Sequence, residues 1–84
     1  MTRAADVRVR VRFFAMLRER LGSGGEREVR RGTTAAALWK SIVAEHAGLG
    51  RVRVRFAVNE EYVPAGHRLA DGDELAVFPP VSGG

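Results

Sequence analysis

The chain of 84 residues carries a formal net charge of +4 and contains no cysteine. This length suits one domain, because two globular units of about 40 residues each would need disulfides or metals to fold. The lack of cysteine excludes disulfides, thiolate metal sites and a cysteine nucleophile. An enclosed active site is not expected at this size, so a role in chemistry would be that of a subunit or a carrier.

The first predicted element is a strand with a basic face. Arg8, Arg10 and Arg12 alternate with apolar residues over 7–14, and the same alternation recurs over 52–58. This period of two is typical of a strand with one solvated and one buried face. The arginines are therefore expected on a solvated sheet face. A nucleic-acid-binding module stays as an alternative that rests only on the pI of about 11.0.

A short helix is predicted directly after the first strand. Phe14, Leu17 and Leu21 recur at the spacing of one helical face and predict a helix near 15–21. Gly22 suits the position just after a helix, where a left-handed backbone is common. The three apolar side chains are therefore expected on one face of two helical turns.

A second strand and the main helix come next. We expect a loop over 22–25 and a strand over about 26–30. An apolar stripe predicts the main helix over about 34–47, with the Thr33 hydroxyl as its N-terminal cap and Gly48 at its end. Three further strands are predicted, over about 52–58, at Tyr62-Val63 and over 74–78.

The order of predicted elements indicates the fold class. Strands outnumber helices, and one long helix lies in the middle of the chain. This pattern predicts an α+β fold in which a mixed sheet has one face covered by the main helix. We expect a disordered polar lead over 1–6, a folded domain over 7–78 and an extended, flexible C-terminal tail over 79–84.

Side chains with catalytic chemistry are sparse in this sequence. His46 and His67 lack the spacing of a metal site, and the adjacent Glu60 and Glu61 do not form an acid–base pair. Trp39 lies on the apolar side of the main helix and is expected in the core. No apolar run has the length of a secretory signal or a membrane span, which predicts a cytoplasmic protein without membrane contact.

The C-terminal residues are the most distinctive feature. Pro79-Pro80 make the start of the tail stiff, and Gly83-Gly84 leave its tip without side chains, so the tail suits a narrow channel in another protein. The Gly84 carboxylate is then the candidate reactive group. Its coupling to AMP from ATP would create a leaving group, and a sulfur donor could displace AMP to leave a thiocarboxylate.

Several motifs together resemble a known family. The pattern is similar to the molybdopterin synthase small subunits, the MoaD family of ubiquitin-like sulfur carriers. The resemblance covers nearly the whole chain from Val7, and four short segments carry it. They are Phe13-Phe14-Ala15-Met16-Leu17-Arg18-Glu19, Val58-Asn59, Leu69-Ala70-Asp71-Gly72-Asp73-Glu74 and Phe78-Pro79-Pro80-Val81-Ser82-Gly83-Gly84.

This resemblance implies a ubiquitin-like β-grasp fold and a carrier that is not itself the catalyst. It implies that a ubiquitin-activating-like adenylyltransferase uses ATP to adenylate Gly84, and that a sulfur donor protein supplies the thiocarboxylate. The tail would insert into the large subunit of a heterotetrameric molybdopterin synthase, where sulfur passes to cyclic pyranopterin monophosphate. No cofactor bound by this chain and no nucleic-acid partner are expected.

The resemblance also implies which residues bind the partner. Tyr62 and Phe78 are expected to face the partner, although a place in the core is the alternative for each aromatic ring. The tail would supply further contacts, through Pro79, Pro80, Val81, Ser82 and Gly83. Two other functions stay open: a sulfur carrier for thiamine or cysteine synthesis, and a ubiquitin-like protein modifier.

Overall fold

A computed structural model of the protein describes residues 6–49 and 52–79. Its elements follow the predicted order, with one 3₁₀ turn added after the main helix. They are β1 (Asp6–Phe13), α1 (Met16–Leu21), β2 (Gly24–Arg30), α2 (Ala35–Glu45), a 3₁₀ turn (Ala47–Leu49), β3 (Arg55–Val58), β4 (Glu61–Val63) and β5 (Glu74–Phe78). Most of the predicted lead, and the tail from residue 80 onwards, lie outside the described residues.

The five strands form one mixed sheet in the order β2-β1-β5-β3-β4. β1 and β5 run parallel, whereas the other neighbouring strands are antiparallel. The strand that leads into the tail, β5, is therefore the middle strand and is hydrogen-bonded on both sides. The predicted α+β class and mixed sheet are confirmed.

One face of the sheet forms the hydrophobic core. The inward side chains of β1 are almost fully buried, whereas Arg8, Arg10 and Arg12 between them are exposed, as the alternation predicts. Trp39 of α2 is buried, and its ring centroid lies 6.3 Å from that of Phe13. The fully buried side chains of the core come from the sheet and from both helices: Val7, Val9, Val11, Leu17, Ile42, Leu75 and Val77.

The main helix is shorter than predicted, and its cap is a different threonine. The side-chain oxygen of Thr34, not Thr33, accepts a hydrogen bond from the backbone N–H of Ala37 at 3.1 Å. The backbone N–H of Ala36, three residues after Thr33, instead donates to the carbonyl oxygen of Ala65 at 3.0 Å, so it is not available to Thr33. The helix ends at Glu45, and the 3₁₀ turn that follows buries Leu49.

Two strands have different limits from those predicted. β2 begins at Gly24, inside the predicted loop. The backbone lies so close to β1 at this position that a Cβ would overlap the carbonyl oxygen of Val11. Glycine permits this close approach of two backbones. β3 begins only at Arg55, whose Cα partner Phe78 is the last residue of β5; among the described residues the pairing of the two strands does not extend to residues 52–54.

The prediction that places Phe14 on the face of the short helix is wrong. The helix begins at Met16, and Leu17 alone of the three spaced residues is fully buried. Phe14 instead follows β1, where residues alternate between the two faces of the sheet. Ala15, with φ at 54°, then turns the chain into the helix. Phe14 therefore lies on the opposite side of the sheet from Phe13.

Candidate functional site

Three aromatic side chains meet on the solvent side of the sheet, at the point where β5 ends. The rings of Phe14 and Phe78 stack with centroids 4.8 Å apart and planes only 16° apart. The ring of Tyr62 packs against Phe78 at 6.0 Å and at an angle of 53°. We refer to Phe14, Tyr62 and Phe78 as the aromatic patch.

Local sequence features place each ring of the patch on this face. In β5, Leu75 and Val77 point into the core, so Phe78 points out with the small Ala76. Tyr62 lies opposite Ala57, which is also on the outer face next to Ala76. These two alanines leave room for the larger rings to lie over the strands.

The turn between β3 and β4 determines the position of Tyr62. Asn59 and Glu60 both have positive φ angles, 50° and 72°, in a two-residue turn that suits the twist of a hairpin. The side chain of Asn59 is fixed by hydrogen bonds to Asp73 and to the backbone of Glu74, at the start of β5. The hairpin that carries Tyr62 is thus tied to the strand that leads into the tail.

The patch is accessible to a partner. Tyr62 is 72% exposed, and among the described residues only Met16 is another large apolar side chain classed as exposed. Phe14 and Phe78 are half-buried, since each covers one face of the other. A contiguous exposed apolar surface on a protein of this size is typical of a binding site.

Two arginines border the aromatic patch. The guanidinium carbon of Arg12 lies 5.4 Å from the centroid of the Phe14 ring, and that of Arg55 lies 5.8 Å from the Tyr62 ring. Both are cation–π distances. Arg12 is also 3.8 Å from a carboxylate oxygen of Glu74. The apolar patch therefore has a positive charge on each side.

The other half of the outer face is made of charged residues in opposed pairs. Arg10 forms a 3.6 Å salt bridge with Glu26, its Cα partner on β2. The next partners along the same two strands are also of opposite sign, namely Arg8 with Glu28 and Asp6 with Arg30. The three pairs together are electrically balanced.

The predicted site residues are only partly described. Phe78 and Tyr62 come together in the patch, and Pro79 follows Phe78 directly and is half-buried. The remaining predicted residues, Pro80, Val81, Ser82, Gly83 and Gly84, lie outside the described residues. Sequence reasoning missed Phe14, although its place directly after the inward-facing Phe13 should have indicated the outer face.

Neither a metal-ligand cluster nor a membrane-spanning helix occurs in the described part of the chain. Within residues 6–49 and 52–79, no group of three His, Cys, Asp or Glu side chains could hold a metal ion. No helix there has the length and apolar character needed to cross a membrane. The aromatic patch is the candidate functional site because it combines exposed apolar area with two flanking arginines.

The sequence matches one protein family over most of its length, from residue 11 to residue 84. The chain belongs to the ThiS family. It is 44% identical to the human molybdopterin synthase sulfur carrier subunit over 82 residues, covering 90% of this chain and 93% of that protein. The Escherichia coli protein of the same name is 36% identical, with 90% and 99% covered.

Solved structures show the same architecture. An archaeal ubiquitin from Caldiarchaeum subterraneum superposes with a TM-score of 0.62 at 17% identity, with 94% of this chain and 99% of that chain covered. The fold of this ThiS-family chain is the ubiquitin-like β-grasp, as expected. The small archaeal modifier protein 1 from Haloferax volcanii has a TM-score of 0.75 at 29% identity, with 89% and 99% covered.

A further structural neighbour was solved together with a partner. It is a chain in the complex of subunits 1 and 2 of the molybdopterin-converting factor from Helicobacter pylori. It is 28% identical to this chain, with a TM-score of 0.58 and with 93% of this chain and 100% of that chain covered. At least one protein of this fold is thus found in a complex between two different subunits.

Proposed function

We propose that this chain is the sulfur carrier subunit of a cytoplasmic molybdopterin synthase. The observation that carries the proposal is the likeness to named sulfur carrier subunits over 90% of the chain. The family match that runs as far as Gly84 adds support, because it includes the residue proposed to react.

In this proposal the chemistry takes place on the carboxylate of Gly84. The carboxylate attacks ATP in an adenylyltransferase, which releases pyrophosphate and leaves an acyl-adenylate. A sulfur donor then displaces AMP and leaves a thiocarboxylate, whose sulfur is the nucleophile. In the large subunit this sulfur forms a bond to a carbon atom of cyclic pyranopterin monophosphate, and water then cleaves its bond to the Gly84 carbonyl carbon and restores the carboxylate. The chain contributes a folded domain that partners recognise and the sulfur atom on Gly84, and its partners contribute the catalytic groups.

The aromatic patch is proposed as the docking surface for the large subunit. Tyr62 and Phe78 present apolar area beside the strand that leads into the tail, and Phe14 extends this area. Docking there would place Pro79 and residues 80–84 at the partner's channel. The two-subunit complex of the Helicobacter pylori neighbour supports such an assembly, which would be a heterotetramer with two carriers.

Intact-mass spectrometry tests the carrier chemistry directly. The chain is incubated with ATP, the adenylyltransferase and a sulfide source, and thiocarboxylation raises its mass by the difference between a sulfur and an oxygen atom. A variant without Gly84 is the control, and we expect it to fold normally and to show no mass increase. A full-length chain that never gains mass with its own adenylyltransferase would contradict the proposal.

A second candidate is a ubiquitin-like protein modifier. The specific observation in its favour is the TM-score of 0.75 with a small archaeal modifier protein. A modifier forms isopeptide bonds between Gly84 and lysines of other proteins. A carrier subunit of molybdopterin synthase instead binds the large subunit without a covalent bond. Isopeptide-linked adducts in cells, together with failure to activate the large subunit, would favour the modifier. A sulfur carrier for thiamine or cysteine synthesis would also fail to activate it.

A further inference from the structure

Arg12 and Arg55 occupy matching positions on either side of the strand that leads into the tail. Arg12 on β1 faces Ala76 of β5, and Arg55 on β3 faces Phe78, the last residue of β5. The guanidinium of Arg12 lies against the Phe14 ring and that of Arg55 lies against the Tyr62 ring, at the two ends of the aromatic patch. The two charges therefore stand on both sides of the point where the tail leaves the sheet.

These charges are less balanced than those on the other half of the outer face. On β1 and β2, three outward arginines face three outward acids. Around the patch, the outward charges of the described strands are Arg12, Arg55 and a single acid, Glu74. Arg55 has no carboxylate within 4.0 Å among the described residues. Arg12 has one, because its guanidinium lies 3.8 Å from the carboxylate of Glu74. The surface next to the tail thus has an excess of positive charge.

We infer that Arg12 and Arg55 bind carboxylates at the rim of an apolar socket on the large subunit. This inference rests on the proposed function and adds a determinant of partner choice to it. A guanidinium fork matches a carboxylate in two-pronged hydrogen bonds, and the ring beside it limits the motion of the side chain. An apolar centre with a charged rim is the usual anatomy of a protein–protein interface.

The expected effect of the two arginines is mainly on the rate of association. Complementary charges attract partners before contact and accelerate docking, and salt screens this attraction. Loss of the positive charges should therefore slow association at low salt and matter little at high salt. The aromatic patch, in contrast, should determine how slowly the complex dissociates, because its apolar contacts form only after docking.

Stopped-flow association of the purified large subunit with the intact chain tests the inference. The variants are Arg12→Gln, Arg55→Gln and the double substitution. The double variant Arg8→Gln/Arg20→Gln removes the same net charge from exposed positions away from the patch and is the matched control. At about 0.05 M salt we expect the Arg12/Arg55 double variant to associate about tenfold more slowly, and the control less than about twofold.

Three outcomes decide between the explanations. Equal slowing by the two double variants would overturn the inference and leave the proposed function intact, because only net charge would then matter. Failure of the wild-type chain to bind the large subunit at all would overturn the proposed function, and the inference with it. Tight binding of a DNA or RNA oligonucleotide that Arg12→Gln/Arg55→Gln abolishes, with association of the large subunit unchanged, would assign the arginines to nucleic acid instead.

Charge reversal provides a test that does not depend on the size of one rate. Arg55→Glu should slow association more than Arg55→Gln, because it repels the carboxylates rather than only failing to attract them. Replacement of one rim carboxylate of the large subunit by lysine should restore the rate with Arg55→Glu but not with the wild-type chain. Absence of such rescue at every acidic residue around the socket would overturn the pairing of Arg55 with a carboxylate.

Discussion

The side-chain amide of Asn59 donates a 2.9 Å hydrogen bond to the carboxylate of Asp73. Asn59 lies in the turn between β3 and β4, and Asp73 lies directly before β5. The other oxygen of Asp73 accepts from the backbone N–H of Ala70, and the Asn59 carbonyl oxygen accepts from that of Glu74. This pair joins two turns that are 14 residues apart in sequence and aligns the hairpin of Tyr62 with β5.

We expect Asp73→Ala to lower the free energy of unfolding by about 1 kcal/mol, because the Asn59 amide and the Ala70 N–H lose their acceptor. Urea denaturation of Asp73→Ala, Asn59→Ala and the double variant would measure this. If the two residues act as a pair, the double variant should be clearly less destabilised than the sum of the single ones. Additive effects would contradict a direct coupling.

The N-terminal cap of α2 allows a clean comparison between two adjacent threonines. Thr34→Ala should lower the free energy of unfolding by about 1 kcal/mol, because the N–H of Ala37 loses its acceptor. Thr33→Ala is the matched control and should cost less, because Thr33 precedes the cap position. Thr34→Ser should retain most of the stability. A larger loss from Thr33 than from Thr34 in thermal or urea unfolding would show that the cap is assigned to the wrong residue.

The glycines at the start of β2 are expected to differ in tolerance. Gly24 has φ at 119°, and a Cβ there would overlap the backbone of Val11. Gly24→Ala should therefore destabilise the protein by about 1–3 kcal/mol, as β1 and β2 must move apart. Gly25→Ala, next to it, adds a Cβ that meets nothing within 4 Å and is the control. Equal melting temperatures for the two variants would contradict the close approach of β1 and β2.

An ion pair between β2 and the end of α2 predicts a pH dependence. Nη1 and Nη2 of Arg27 donate to the two carboxylate oxygens of Glu45 at 3.0 and 2.8 Å. These hydrogen bonds lower the pKa of Glu45. Because the folded pKa is below the unfolded one, the pair stabilises the protein above the unfolded pKa. This contribution disappears as the pH falls through the folded pKa.

Denaturation curves at a series of pH values test this prediction. The difference in free energy of unfolding between the wild type and Glu45→Gln should be small and constant near neutral pH, since exposed pairs contribute little. It should shrink towards zero in acid. Glu19→Gln changes an exposed carboxylate of α1 that has no salt bridge among the described residues, and it should show no such trend. A difference that grows in acid would contradict the sign.

Local patterns predicted β1 and β5 well because burial alternates along these two strands. The arginines of β1 and the valines between them repeat with a period of two, which only a half-buried strand explains. Thr33 and Phe14 were misassigned because a shift of one residue changes which atom a side chain can reach. The left-handed Ala15, which separates Phe14 from α1, has no marker in the sequence, since alanine rarely adopts that conformation.

The composition of the candidate site depends on contacts that no local pattern contains. Tyr62 and Phe78 could be singled out by resemblance, but the stack of Phe14 on Phe78 follows from the parallel pairing of β1 with β5. The position of Arg55 opposite Phe78 likewise follows from the place of β3 on the other side of β5. Strand order is a property of the whole fold, and β1, β5, β3 and β4 must all be in place before the patch exists.

The central position of β5 has a mechanical consequence. A partner that pulls on the chain beyond Phe78 pulls along the axis of a strand that is hydrogen-bonded to β1 on one side and β3 on the other. The load therefore acts along both ladders and is shared by all of their hydrogen bonds at once, whereas an edge strand can be peeled away bond by bond. We therefore expect the folded domain of the proposed carrier to remain intact when a partner binds and releases the tail.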